Sequence, residues 1–178
     1  MDGNAIQTKG ASAPFPLSEL TSVLSYDETS GVFVWLVDQK RRQVKAGEVA
    51  GHIHNVTGYV TIGYRGKALY GHTLAWYFKT GEWLLHIDHK NRIRHDNAFE
   101  NLRRATQSQN RANTKTHAKN TSGFRGVTFD KRRGSWNAEV RFEKVRHRQN
   151  GFASAAEAGE WAEAKRKDLF KEFNPTEE

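Results

Sequence analysis

The stretch HIDHKNRIRHDNAFENLRRATQSQN, residues 86–110, sets an acid, an imidazole and several amides into one short basic segment. Leu84 to Asp88 reads as a short strand running into a loop that holds Asn97 and Asn101. Thr106-Gln107-Ser108-Gln109 has the pattern of a capping box, which places Asn110 in the first turn of a new helix. Asp88 and His89 then sit at a strand end, and an amide oxygen sits on a helix able to fold back toward them. Neighbours on a regular strand point to opposite faces, so the two can serve one phosphate only if the strand ends between them. Asp and Asn oxygens are hard ligands suited to Mg²⁺ or Mn²⁺. Mg²⁺ binds through one or two protein groups and completes its shell with water and phosphate, so so sparse a site suits an ion finished by nucleic acid.

The charge distribution points the same way. The chain has 178 residues and a net charge of +8. Between residues 88 and 150, 16 Lys and Arg face 6 Asp and Glu; the first 87 residues carry 8 against 7, and the last 28 carry 4 against 7. The excess positive charge thus forms one central block, which makes nucleic acid the first partner to consider. A solvated basic surface is the alternative that charge alone leaves open. Absence of cysteine rules out disulfides and thiolate zinc sites. No apolar run approaches the length of a membrane span, and the N-terminus lacks a signal-peptide pattern, so a cytoplasmic protein is expected. The Asn55-Val56-Thr57 sequon is read as chance.

Outside the central stretch, residues 1–15 read as a flexible tail. Pro16 to Leu24 has helical spacing of leucines, Val32 to Trp35 reads as a strand, and Lys40 to Lys45 as a charged loop. Tyr59–Tyr64 and Lys67–Tyr70 flank Arg65-Gly66 as a hairpin. His72 to Thr80 should be a helix stopped by Gly81. Trp35, Trp76 and Trp83 read as core. His52 and His54 could share a strand face as ligands but read better as ordinary polar positions, and a zinc site of His86, His89 and His95 has nothing to fix its geometry.

A polar linker is expected at 113–121, followed by a second module over 122–173. FRGVTF, SWNAEVRF and VRHRQNGF read as three strands, and Ala155 to about Phe173 as one helix opened by a Ser154–Glu157 capping box. Ala158, Ala162, Leu169 and Phe173 would share its buried face, with Trp161 beside it. In the middle strand Trp136, Ala138, Val140 and Phe142 alternate with Asn137, Glu139 and Arg141. One face should pack on the helix and the other stay polar and open.

A nuclease domain with a β-rich N-terminal part is expected over 16–112; from about Leu20 to Ala112 it resembles the HNH endonucleases of the ββα-metal fold, through GHTLAW at 71–76, HIDHKN at 86–91 and DNAFENLRRATQSQN at 96–110. The resemblance implies an α+β fold and a phosphodiester hydrolase leaving 5′-phosphate and 3′-hydroxyl ends. His89 would be the general base, Asp88 and Asn110 would hold one divalent metal (Mg²⁺ or Mn²⁺), and Asn101 would brace the loop, with Asn97 as a second bracing amide. Arg103, Arg104 and Arg111 would hold the flanking DNA backbone, and His72 matches a family position whose role stays open. A single such centre in a monomer should nick one strand. Arg92 stands where relatives often carry Gly, which would reshape the turn, and there are no cysteine pairs for the structural zinc of some relatives.

Residues 122–170 resemble the Apetala (ethylene-response factor) DNA-binding domain, a three-stranded antiparallel sheet packed on one helix and laid in the major groove of double-stranded DNA. Arg125, Glu139 and Arg141 match groove-facing positions; Thr128, Lys131, Arg132, Arg146 and Arg148 match less specifically. Gln149-Asn150 replaces an aromatic of the relatives, so the sequence preference need not match theirs. The pairing of modules looks like that of free-standing homing endonucleases of phage and bacterial genomes. A non-cutting, sequence-specific DNA-binding protein is the alternative, and an RNA-processing enzyme a third reading.

Overall fold

The computed structural model describes residues 12–39, 43–112 and 120–171. The chain is of mixed α and β construction, with small sheets and short helices consistent with the α+β class. It divides into two compact units, residues 1–106 and 107–178. Parts of the expected tail, charged loop and linker, at 1–11, 40–42 and 113–119, lie outside the described residues.

In the first unit, helix α1 (Leu17–Val23) leads into β1 (Leu24–Tyr26), which pairs antiparallel with β2 (Phe33–Trp35). The leucine spacing of the helix is as read from the sequence, but it stops where Leu24 turns extended, because Leu24 is needed in the ladder opposite Trp35. A second sheet takes the order β3 (His52–Ile53), β4 (Val60–Tyr64), β5 (Lys67–Tyr70). Its β4–β5 hairpin turns at Arg65 (φ 43°) and Gly66 (φ 79°), the doubly positive pair that matches the twist of the flanking strands. Helix α2 (Gly71–Thr80) follows at once and ends at Gly81, whose φ of 72° supplies a left-handed cap. Leu74 and Ala75 of α2 are fully buried with Leu20, Leu24, Phe33 and Ile62. Trp35 belongs to this core, and Trp76 and Trp83 pack half-buried against it.

The same core receives Ile87 and Leu102, which anchor a two-stranded ribbon of β6 (Ile87–His89) and β7 (Leu102–Arg104). A single 3₁₀ turn, Phe99–Asn101, precedes β7. The loop between the strands is clamped to the β1–β2 turn. A Cβ on Gly31 (φ 73°) would lie 2.3 Å from Ala98 N and from Asn97 C, so only glycine allows that approach.

The second unit begins with α3 (Gln107–Ala112) and contains an antiparallel sheet of order β10 (Val145–Phe152), β9 (Ser135–Phe142), β8 (Val127–Asp130). Helix α4 (Ala155–Phe170) packs on it. Ser154 Oγ accepts from Glu157 N at 3.1 Å, and Glu157 Oε2 accepts from Ala153 N at 3.1 Å, one residue before the expected reciprocal donor. The buried face of α4 runs Ala158, Gly159, Ala162, Arg166 and Phe170. It differs from the expected face: Phe170 takes the end of the stripe and stacks edge-on against Phe142 at 5.0 Å, while Leu169 is half-buried and Phe173 lies outside the described residues. Ala138 and Val140 of β9 are buried as the alternation requires. Asn137, expected on the open face, is also buried.

Candidate active site

The β6–β7 ladder sets Asp88 directly opposite Arg103 and His89 opposite Leu102. The strand does not end between Asp88 and His89 as expected, so β6 as folded does not meet the condition set above for both to serve one phosphate. Pairing continues past His89, with Lys90 N donating to Asn101 O at 2.9 Å. Both side chains are nonetheless buried, Asp88 at 7% exposure and His89 at 4%, and each has its own partners.

Asp88 accepts from Arg103 through a single carboxylate oxygen: Nε and an Nη atom approach Oδ2 at 2.8 and 2.7 Å. His89 faces a different group. Its Nε2 lies 3.1 Å from Asn97 Oδ1, inside a fully buried amide. An amide oxygen only accepts, so a hydrogen bond to Asn97 Oδ1 requires the tautomer with the proton on Nε2. The His72 ring meets the His89 ring edge-on at 5.2 Å, Tyr59 lies 5.9 Å from His89, and Tyr70 stacks on His72 at 5.5 Å. Burial in this box lowers the His89 pKa below the ordinary histidine value, against the opposing pull of the Asn97 hydrogen bond, Asp88 and Asp96. His72 is driven further, to about 3, by burial and then by His89. Both rings are therefore neutral at physiological pH.

Asparagines and one aspartate organise the loop from Lys90 to Asn101. Asn101 Oδ1 accepts from Asn91 N at 3.0 Å and its Nδ2 donates to Asp96 O at 2.8 Å. Asn91 Nδ2 donates to Asp96 Oδ2 at 2.6 Å and its Oδ1 accepts from Ile93 N at 2.8 Å. Asn97 is held by its main chain, where its carbonyl accepts from Tyr26 Oη at 2.7 Å, leaving the amide to engage His89. Arg92, in the glycine position of the resemblance, adopts φ 62° and donates from its N to His89 O at 3.0 Å. The turn keeps the left-handed conformation that glycine would adopt, at a cost of about 1–2 kcal/mol for a residue with a Cβ.

The other expected residues fall into separate groups. Arg104 pairs with Glu82 and lies over the Trp76 ring at 6.0 Å. Asn110 and Arg111 are on α3, in the second unit, and the side chain of Arg111 is outside the described residues. In that unit the sheet gathers Glu139, Arg141, Arg146 and Arg148 on one face, because Arg146 is paired with Arg141 and Arg148 with Glu139 across the ladder. Glu139 Oε1 accepts from Arg141 Nε at 2.6 Å and lies 3.4 Å from Arg146 Nε; Arg148 Nε donates to Asn150 Oδ1 at 2.8 Å. Arg125 lies before β8, and burial, then Arg166, lowers its pKa.

Among the described residues no three His, Asp or Glu side chains form a metal-binding group. His52 is exposed, and His54 Nδ1 accepts from Thr57 N at 3.3 Å. Three partnerships were missed from sequence: Arg103 with Asp88, Asn97 with His89, and His72 with Tyr59 and Tyr70 around His89. The only available signal for the first was the equal spacing of Asp88 and Arg103 from the loop they enclose.

Residues 69–112, which span α2, the β6–β7 ribbon and α3, match the HNH endonuclease family. This match supports nuclease chemistry as the general kind of activity, with DNA as the substrate that such a domain implies. Protein 3.8 of Escherichia phage T7 is 33% identical over 90 residues, covering 49% of this chain and 72% of that protein. No solved structure matches the chain at a significant level. No helix among the described residues is long and apolar enough to cross a membrane. The chain belongs to the same family as Protein 3.8 of phage T7, and it carries an HNH endonuclease motif over residues 69–112.

Proposed function

We propose that the chain is a metal-dependent DNA endonuclease that nicks one strand, with His89 as general base and the second unit as its sequence-targeting module. The observation that carries this reading is the buried His89–Asn97 pair, which holds a neutral imidazole in one tautomer. With Asn97 Oδ1 accepting a hydrogen bond from Nε2–H, Nδ1 is the atom that would accept a proton from a water attacking phosphorus. The P–O3′ bond breaks, leaving 5′-phosphate and 3′-hydroxyl ends. Neutrality matters because a protonated imidazole has no lone pair to offer.

HNH nucleases generally use a divalent metal, and hard carboxylate and amide oxygens are the donor chemistry that would suit one. Asp88 is a buried carboxylate already neutralised by a cation, and Asp88 with Asn110 would supply one or two hard oxygens for Mg²⁺ or Mn²⁺. Such an ion, when bound, offsets charge on the phosphate and on the leaving oxygen. Asn101 keeps the loop closed around His89. Arg104 and Arg111 would hold phosphates beside the cut. In the second unit, Glu139, Arg141, Arg146 and Arg148 on one sheet face would meet duplex DNA, with Arg125 beside them; a guanidinium can read guanine bidentately. Two modest binders on one chain raise each other's effective concentration. A monomer with one such centre cuts one strand, and a phage or its bacterial host cytoplasm is the setting suggested by the T7 relative.

Incubation of supercoiled plasmid with the protein and Mg²⁺ tests this. Nicked circles should accumulate, EDTA should stop them, and His89→Ala should abolish cutting while retaining a gel shift. A wild-type protein that shifts DNA but leaves plasmid closed would instead be a non-cutting DNA-binding protein.

A further inference from the structure

The Asp88–Arg103 pair has a geometry that goes beyond neutralising a buried acid. The two residues are cross-strand neighbours, so the backbone ladder fixes the direction from which the guanidinium approaches. Both contacts fall on Oδ2, at 2.8 and 2.7 Å, where a forked grip would have spread over two oxygens. The side chains are 15% and 9% exposed, so the attraction is weakly screened, and loss of either partner would leave a costly buried charge. Arg104, the next residue, is more exposed and pairs with Glu82.

We propose that Arg103 is a positioning residue, a resident cation that holds Asp88 until a divalent ion takes the carboxylate and a DNA phosphate takes the guanidinium. This rests on the reading of Asp88 as a metal-holding residue. A guanidinium and a divalent ion repel one another and compete for one carboxylate. Metal binding without DNA is therefore opposed by Arg103. A phosphate entering the site relieves the competition, because it offers the guanidinium an equivalent partner. Metal and DNA then favour each other's binding, and the coupling is reciprocal. The device would keep a basic nuclease from loading its ion before a phosphodiester is present.

The test is Mn²⁺ binding to the full chain without DNA, read as loss of the free-ion EPR signal. Arg103→Gln should bind about tenfold more tightly than wild type, within the usual span of coupling effects. Arg103→Lys, which keeps charge but loses the fork, should fall between. Asp88→Asn should bind more weakly. If Arg103→Gln is folded by near-UV circular dichroism and binds no more tightly, while Asp88→Asn is weakened, the proposal fails and the metal reading survives. If Asp88→Asn binds as wild type does, the metal reading fails and takes the proposal with it. Should the Arg103 variants not fold, the wild-type protein still decides. With duplex DNA present, its Arg103 Nε–H resonance should shift on Mg²⁺ titration, and a resonance unmoved under those conditions would overturn the proposal.

Discussion

His89 Nε2 lies 3.1 Å from the Oδ1 of Asn97, an amide with 0% exposure. This contact joins β6, which carries His89, to the far side of the loop that follows it. Asn97→Ala removes the acceptor and leaves a buried N–H unpaired, a loss of about 1–3 kcal/mol. Plasmid nicking should fall about 10- to 100-fold if the loss is felt in the transition state. If His89 is the base, the effect should appear in kcat more than in KM, because Asn97 contacts the imidazole. Asn97→Asp, which keeps an acceptor, should recover part of the rate. Equal kcat in wild type and Asn97→Ala would remove Asn97 from the catalytic arrangement.

His72 links stability to pH. Its folded-state pKa of about 3 lies below the ordinary value of 6.5, because burial disfavours the imidazolium. Between those values the unfolded chain binds the extra proton. Its contribution to stability is therefore fully present above about pH 6.5 and is lost as pH falls toward 3, by up to about 1.4 kcal/mol per pH unit. Urea unfolding of wild type across pH 7 to 4 should show this slope, and His72→Phe should flatten it. An identical slope in the variant would show that other groups carry the acid sensitivity.

Arg92 occupies a left-handed backbone position, with φ 62°, just after β6. Arg92→Gly relieves the Cβ clash but adds freedom to the unfolded chain, so the two terms oppose. The clash is the larger, and the variant should be more stable by about 0.5–1 kcal/mol. Arg92→Val should be less stable than wild type, since a β-branched residue suits that region least. Denaturant midpoints of the three proteins give the order directly.

Arg141 and Arg146 both reach Glu139 on one face of the C-terminal sheet. If that face meets DNA, Arg141→Ala or Arg146→Ala should weaken duplex binding. A residue reading a base should cost about 1–3 kcal/mol and relax preference at one position. One holding phosphate should weaken all sequences alike and reduce the salt dependence by about one counterion. Fluorescence anisotropy at several salt concentrations separates the outcomes, and unaltered affinity in both variants would place the DNA surface elsewhere.

Much of the architecture was legible because it is written in local rules. The β4–β5 hairpin follows from Arg65-Gly66 between alternating strands, the end of α2 from Gly81, and the start of α4 from Ser154 and Glu157. Asp88, His89 and Asn101 could be singled out because acid, imidazole and amide are unusual together in so short a basic run. Where burial depends on which side chain meets which neighbour, reading by period alone went astray. Phe170 joins the buried face of α4 where Leu169 was expected, and Asn137, expected on the open face of β9, is buried.

The amino-acid sequence by itself determined which short elements form and which chemical groups gather between residues 86 and 110, since turns, caps and alternation act within a few residues. Tertiary structure alone decided the partnerships. The β6–β7 register set Arg103 against Asp88, the loop's return delivered Asn97 to His89, and α2 brought His72 to its ring. These contacts depend on how distant segments share one core, so no spacing along the chain encodes them directly.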